Sequence, residues 1–427
     1  MKAAFVVQRF GDDVIGGAES HALWLAEKLV REKGWSLDVF TTTAKDYRTW
    51  RHHYPQGQCV VRGVRVFRFK SKFTRNRFVF GLYQRVMSPL LSAKTSARSL
   101  KFCRALLKPL MPVIEKLWFF LQGPFCPDLI KHLVASHHKY QKIFFFTWLY
   151  YPTQAGIREL GYKSVLIPTA HDEAALWFPS VSEIFNSVSG VFVNSPAEAA
   201  LIRQIPGCEE LSLNLAGVGL SDAVLSPRVI PGSFSDKLPS RFLCFLGRIN
   251  EGKGLSTLCD YFLEAVRRCG DEDLCLVLAG PVEKGFEKVS HHRIRFVGEV
   301  NENEKLVLLR QCYAVVNPSP YESLSLLVME GLALKKPVLI NKHNPVLNHY
   351  AIHNRSVRAF GSCEDFVREL NFLGSASWAY QAEQSLLMGK EWVEKEYSWE
   401  RVLSVFQEGL LKPNLSFEKL ASDFTKP

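Results

Sequence analysis

No stretch of this 427-residue chain is apolar for long enough to cross a bilayer. The longest run, Ile143 to Tyr151, has about half of the ~20 residues that a spanning helix needs. Met1 to Val7 meets Arg9 too soon for a signal peptide and reads as a first strand, so a cytoplasmic protein is expected. Cysteine occurs ten times but never as Cys-x2-Cys, which removes the spacing of zinc ribbons and CxxC redox sites. Scattered through apolar patterns, the cysteines read as reduced packing residues. Internal repeats and low-complexity tracts are absent. Acid is scarce in one long segment: between Tyr47 and Pro127, Glu115 stands alone among sixteen Lys or Arg. The net charge of +11 therefore sits in that segment, and the remainder is mildly acidic.

The chain is rich in short apolar runs that alternate with amphipathic helical patterns. With 47% hydrophobic residues it can bury large cores, and the alternation predicts an α/β protein with parallel sheets covered by helices. Two such units are expected. The first holds strands near Lys2, Leu37 to Thr41, Ile143 to Thr147, Val165 to Ile167 and Val191 to Asn194. The second holds Arg241 to Leu246, Leu274 to Ala279, Ile294 to Gly298, Ala314 to Asn317 and Pro337 to Asn341. The boundaries read as 1–225 with a basic insertion at about 62–125, a linker at 226–240 with three prolines, a second unit at 241–391, and a helical tail at 392–427.

Ligands of open parallel sheets bind at the carboxyl ends of strands, and two motifs lie there. After Leu246 comes Gly247-Arg248-Ile249-Asn250-Glu251-Gly252-Lys253-Gly254, a loop whose glycines admit an anion to the backbone while Arg248 and Lys253 bring positive charge. It is not a P-loop, since no Gly-Lys-Ser/Thr follows the first glycine at the required distance, and it lacks the three-glycine dinucleotide pattern. About seventy residues on, Glu322 and Glu330 flank a loop entering a helix. Ser323 or Ser325 can cap that helix, leaving the amides of Leu324, Ser325 and Leu326 to face a diphosphate. At about 1.5 Å per residue the two carboxylates lie roughly 12 Å apart along the axis, the reach of one extended ligand. Asp271-Glu272-Asp273 precedes a strand and reads as a solvated loop on the opposite edge, so no metal site is expected.

Gly-Arg-x4-Lys-Gly followed by Glu-x7-Glu resembles the retaining glycosyltransferases of the GT-B fold, family 4 type, of the bacterial surface-polysaccharide and lipopolysaccharide class. The resemblance extends to Gly16-Gly17-Ala18-Glu19, His171-Asp172-Glu173 and Val191-Phe192-Val193-Asn194-Ser195. It implies two Rossmann-like domains facing each other across a cleft, the first on the acceptor side and the second holding a UDP-, GDP-, ADP- or dTDP-sugar, with a C-terminal helix crossing back to the first. Catalytic roles then fall to His171, Glu322, Arg248 and Lys253. Donor contacts fall to Gly16, Gly17, Gly247, Leu324, Ser325, Leu326, Glu330, Gly298 and Val300. Gln122, Tyr150, Tyr151 and Asp172 shape the acceptor pocket. No cofactor is implied, and transfer is expected to be metal-independent with front-face attack. The chain departs from the pattern at Ala216-Gly217-Val218-Gly219, where Asn-Gly-Val-Asp/Glu is usual.

The basic segment also carries Phe69, Phe73, Phe78, Phe80, Tyr83 and Trp118, a combination that fits an anionic membrane surface better than nucleic acid. The expected partners are a nucleotide-sugar, a lipid-linked glycan or growing polysaccharide, and the inner face of the membrane. Two rival readings are a sugar-nucleotide epimerase of similar architecture, and a non-catalytic module that binds glycan or nucleic acid.

Overall fold

In the computed structural model, which describes residues 1–91, 106–225 and 234–411, the apolar runs become two sheets. The chain divides into two compact units: Met1–Val218 together with the chain from Val402 onward, and Gly219–Arg401. The expected linker lies in part outside the described residues, as do Lys94, Arg98, Lys101 and Arg104 of the basic segment and the tail beyond Leu411.

The first unit is built on β1 (Lys2–Val6), β2 (Ser36–Thr42), β3 (Gly57–Val61), β4 (Val64–Phe69), β5 (Lys142–Phe146), β6 (Ser164–Ile167), β7 (Gly190–Val193) and β8 (Leu213–Leu215). They lie in the order β3-β4-β2-β1-β5-β6-β7-β8, all parallel except β3 against β4. In the central register Phe5 stands beside Val39 and Phe144. Strands covered on both faces are continuous runs of buried apolar residues, as Ala3 to Val6 and Ile143 to Phe146 are here, without alternation. The helix Trp399–Leu411 buries Val402, Leu403 and Phe406 in this unit, where the Phe406 ring stacks on Phe192 at 4.6 Å.

The basic insertion begins later than its charge pattern suggested, because Val64–Phe69 is a sheet strand. Several of the cations counted there are internal partners. Arg62 pairs with Asp12 and Glu27, Arg65 grips Asp38 at 2.6 Å, and Arg68 is buried over the Tyr54 ring. Charge composition cannot separate a solvated arginine from one that answers an acid distant in sequence.

The second unit holds β9 (Arg241–Leu246), β10 (Leu274–Ala279), β11 (Ile294–Gly298), β12 (Ala314–Asn317), β13 (Val338–Asn341) and β14 (Val357–Phe360), parallel throughout in the order β11-β10-β9-β12-β13-β14. The order reverses between β9 and β12, and a crevice opens outside the carboxyl ends of strands at such a switch point. Gly247 to Lys253 follows β9 and Glu322 follows β12. In the first sheet the reversal falls between β1 and β5, which lead to Gly16 and to Tyr150. This unit begins at Gly219 because Leu220 bonds through its amide to Tyr397 O at 3.1 Å and through its carbonyl to the Trp399 indole at 2.8 Å. Asp271 ion-pairs with Arg241 and accepts the Leu274 amide at the start of β10, the edge away from the switch point.

Candidate active site

The loops after β9 and β12 are pressed together at one residue. Gly254 has φ 71°, and a Cβ there would lie 2.8 Å from Pro318 O, so only glycine fits. Asn250 caps the short turn Glu251–Lys253 by accepting the Lys253 amide at 3.0 Å. The loop is also laced to the segment after β10, with Ile249 N to Pro281 O and Glu283 N to Ile249 O both at 2.9 Å. These constraints deliver the Lys253 ammonium to within 2.8 Å of the Glu322 carboxylate. Arg248 remains half-buried on the same loop.

Asn317, the last residue of β12, organises the other side. Its amide nitrogen donates to Ser325 Oγ at 2.9 Å and to Glu322 at 3.3 Å, while its oxygen accepts the Ser319 amide at 3.0 Å. Ser325 is buried in a left-handed conformation, φ 75° and ψ 83°, and caps the helix Leu326–Ala333 by accepting Val328 N. That backbone costs an L residue about 1–2 kcal/mol, a strain that persists only where the surroundings impose it. The first helical bond runs from Met329 N to Ser325 O at 3.3 Å. With Ser325 as the cap, the amides of Leu326 and Leu327 join those of Leu324 and Ser325 outside the helical ladder. Leu324 is buried, and its carbonyl accepts the Tyr350 hydroxyl at 2.7 Å.

Glu330 is buried one to two turns into the helix, with Oε1 2.8 Å from Lys305 Nζ. Burial pushes the Glu330 carboxyl up from its ordinary range, and Lys305 opposes that shift. The Lys305 side chain is 14% exposed, and its partial burial disfavours the charge, yet Glu330 and Glu302, the latter at 2.9 Å, hold the ammonium above its usual value. Gly298 ends β11 with φ 79° and accepts the Gly280 amide at 2.7 Å; Val300 follows, half-buried.

In the first unit, Gly16 caps the helix Gly17–Lys33. A Cβ on Gly16 would meet the Glu19 carboxylate at 2.1 Å, whereas no atom stands within 4 Å of that position at Gly17. Glu19 is turned inward, accepting from Arg9 at 2.6 Å and Gln8 at 2.8 Å. Gln122 is buried, with its side-chain oxygen on Arg75 at 2.8 Å and its carbonyl on the Trp50 indole at 2.8 Å. That oxygen is thus part of a clamp between Arg75 and the turn at Tyr47 and Arg48, where Arg75 also donates to both carbonyls. Tyr150 meets the Trp50 ring edge-on at 5.3 Å, and Tyr151 packs on Phe125. His171 is half-buried, and Asp172 accepts the Trp177 indole at 2.8 Å. Burial lifts the neighbouring Glu173 carboxyl to about 7.

Within the second unit, then, Lys253, Glu322 and Ser325 are brought together, with Glu330 held separately by Lys305. Gly16, Gln122, Tyr150 and His171 are held in the first unit by partners of their own. Sequence reasoning missed Asn317, Lys305 and Tyr350, none of which lies in a motif that marks it. It also missed Glu198, which accepts the amides of Ala170 and Asn194 beside His171 and which burial raises to about 8.

Residues 240–371 match the family described as Glycosyl transferases group 1. Among curated proteins, the D-rhamnosyltransferase WbpZ of Pseudomonas aeruginosa is 27% identical over 127 residues, a match spanning 28% of this chain and 32% of that protein. Among solved structures, sucrose-phosphate synthase from Thermosynechococcus elongatus superposes with a TM-score of 0.64 at 18% identity, covering 99% of both chains. HepE of Anabaena, solved in complex with UDP and glucose, reaches 0.61 at 14% identity over 99% of this chain and 100% of its own. At these identities the structural likenesses establish the two-sheet GT-B architecture.

Proposed function

Because this chain carries the GT-B fold and a glycosyl transferases group 1 domain, and so belongs with the GT-B glycosyltransferases, we propose that it moves a sugar from a nucleotide-sugar onto a lipid-linked or growing polysaccharide acceptor, with retention. The observation that carries the reading is the Lys253–Glu322–Asn317–Ser325 cluster at the switch point between β9 and β12. There the helix amides, Lys253 and Arg248 supply fixed positive charge where a departing diphosphate would develop negative charge, and preorganised donors of that kind lower a barrier most. Glu322 orients the donor sugar and Glu330 the ribose. As the bond from the anomeric carbon to the phosphate oxygen breaks, its electron pair goes to the diphosphate. The acceptor hydroxyl attacks from the same face and gives its proton to a phosphate oxygen. UDP bound to HepE supports a nucleotide donor.

The test is incubation with nucleotide-sugars and a lipid-linked glycan extract. The expected result is sugar in the lipid fraction, one nucleoside diphosphate released per sugar, and an anomeric configuration by proton NMR equal to the donor's. An inverted product would overturn the retaining assignment.

The membrane part of the reading is supported by the pair of helices Arg77–Leu91 and Met111–Gln122. Each buries one face, Phe80 and Leu90 on the first and Trp118 and Phe119 on the second, and leaves an outward stripe: Phe78, Leu82 and Val86 on the first, Val113 and Leu117 on the second, with Leu110 exposed just before it. The one acid of the segment, Glu115, faces inward and accepts the Ser180 amide at 3.0 Å. Flotation with anionic liposomes at low salt should carry the protein upward and release it at high salt, since exposed charges are screened within about 10 Å at 0.1 M. Leu82→Glu with Val113→Glu should abolish flotation while sparing turnover of a soluble acceptor.

A further inference from the structure

The left-handed turn at Ser325 needs an outside constraint, and Tyr350 supplies one. Its hydroxyl donates to Leu324 O at 2.7 Å from the helix Pro345–His353, and the residue is only 1% exposed. The ring of Tyr397 packs beside that of Tyr350, with centroids 6.3 Å apart. Tyr397 in turn accepts the Leu220 amide on its carbonyl, and Trp399 donates its indole N–H to Leu220 O. A Cβ at Gly219 would lie 2.3 Å from the Trp399 indole. That contact also explains why the chain has glycine where the family pattern has an acid: the indole occupies the space.

We propose that Tyr350 is a positioning residue for the donor site, and that Tyr397 extends its hold to Gly219–Ser221, where the second unit begins. Through Leu324 O, Tyr350 fixes the turn from which Glu322 and the amides of Leu326 and Leu327 address the donor. The proposal rests on the donor-site reading of that loop. Tyr350→Phe keeps the ring and removes only the hydroxyl, leaving the Leu324 carbonyl buried without its donor. Tyr397→Leu leaves the Tyr350 bond to Leu324 in place and removes only the ring packed beside it.

The experiment measures the melting temperature, nucleoside diphosphate affinity by calorimetry, and the donor KM and kcat of wild type, Tyr350→Phe, Tyr397→Leu and the double variant. Tyr350→Phe should raise the donor KM and the diphosphate Kd about three- to tenfold, the usual range for one lost hydrogen bond. The acceptor KM should stay within twofold of wild type. Tyr397→Leu should move the donor KM in the same direction by less, and the double variant should fall short of the product of the two. A Tyr350→Phe enzyme with a lowered melting temperature but an unchanged donor KM would reduce the residue to packing and overturn the proposal. Multiplicative effects of the two variants would overturn the extension to Tyr397. Failure of wild type to bind any nucleoside diphosphate would instead overturn the donor-site reading itself.

Discussion

Glu322→Gln should lower sugar transfer at least about 1000-fold, roughly 4 kcal/mol of transition-state stabilisation, while free nucleoside diphosphate binds as tightly as to wild type or more so. The split follows from the Lys253–Glu322 pair at 2.8 Å. Glu322 neutralises the ammonium, and an incoming diphosphate must draw it away. The amide of glutamine keeps the volume but surrenders the charge, so Lys253 is freed for the phosphate. What is lost is the carboxylate that holds the sugar. A melting temperature near that of wild type, together with retained diphosphate binding by calorimetry, would separate this outcome from misfolding. Wild-type turnover in the variant would remove Glu322 from the mechanism.

Lys305→Met should produce the largest loss of stability. It strips the partner from Glu330, which is nine-tenths buried or more, and breaking a buried pair costs about 3 kcal/mol or more because the remaining charge has no compensation. For a domain of this size that corresponds to a fall of about 6–12 °C in melting temperature. The sign of its pH dependence is set by Glu330, whose carboxyl burial already raises. Without Lys305 it rises further. An acid raised in the folded state contributes full stability below its unfolded value and loses it as pH climbs through the folded one. The deficit against wild type should therefore be small near pH 4.5 and widen toward pH 8. Adding Glu330→Gln should recover much of the loss, in a double-mutant cycle followed by thermal unfolding. A pH-independent deficit would mean that Lys305 acts by packing alone.

The β9 and β12 motifs were legible in the sequence because each is local: a strand, a glycine turn and charged side chains within a dozen residues. Arg241–Leu246 and Leu274–Ala279 form the strands that their apolar runs predicted, since a strand covered on both faces carries its own signature. The strand Val64–Phe69 was obscured because Arg65 and Arg68 interrupt it, and the acid that Arg65 answers, Asp38, is 27 residues away. The same limit hid Asn317, Lys305 and Tyr350, whose partners Ser325, Glu330 and Leu324 become neighbours only after the sheet forms. Choosing between Ser323 and Ser325 as the cap likewise needed the Asn317 side chain to select one oxygen.

The central claim is that the loops after β9 and β12 hold a nucleotide diphosphate with charge supplied by the protein. Calorimetric titration of wild type and Lys253→Ala with UDP, GDP, ADP and dTDP, without added divalent cation, tests it most directly. The account predicts that at least one of the four binds wild type and that Lys253→Ala weakens it at least about tenfold, the loss expected for a charged hydrogen bond. Binding of equal strength to both proteins, or to neither, would contradict it.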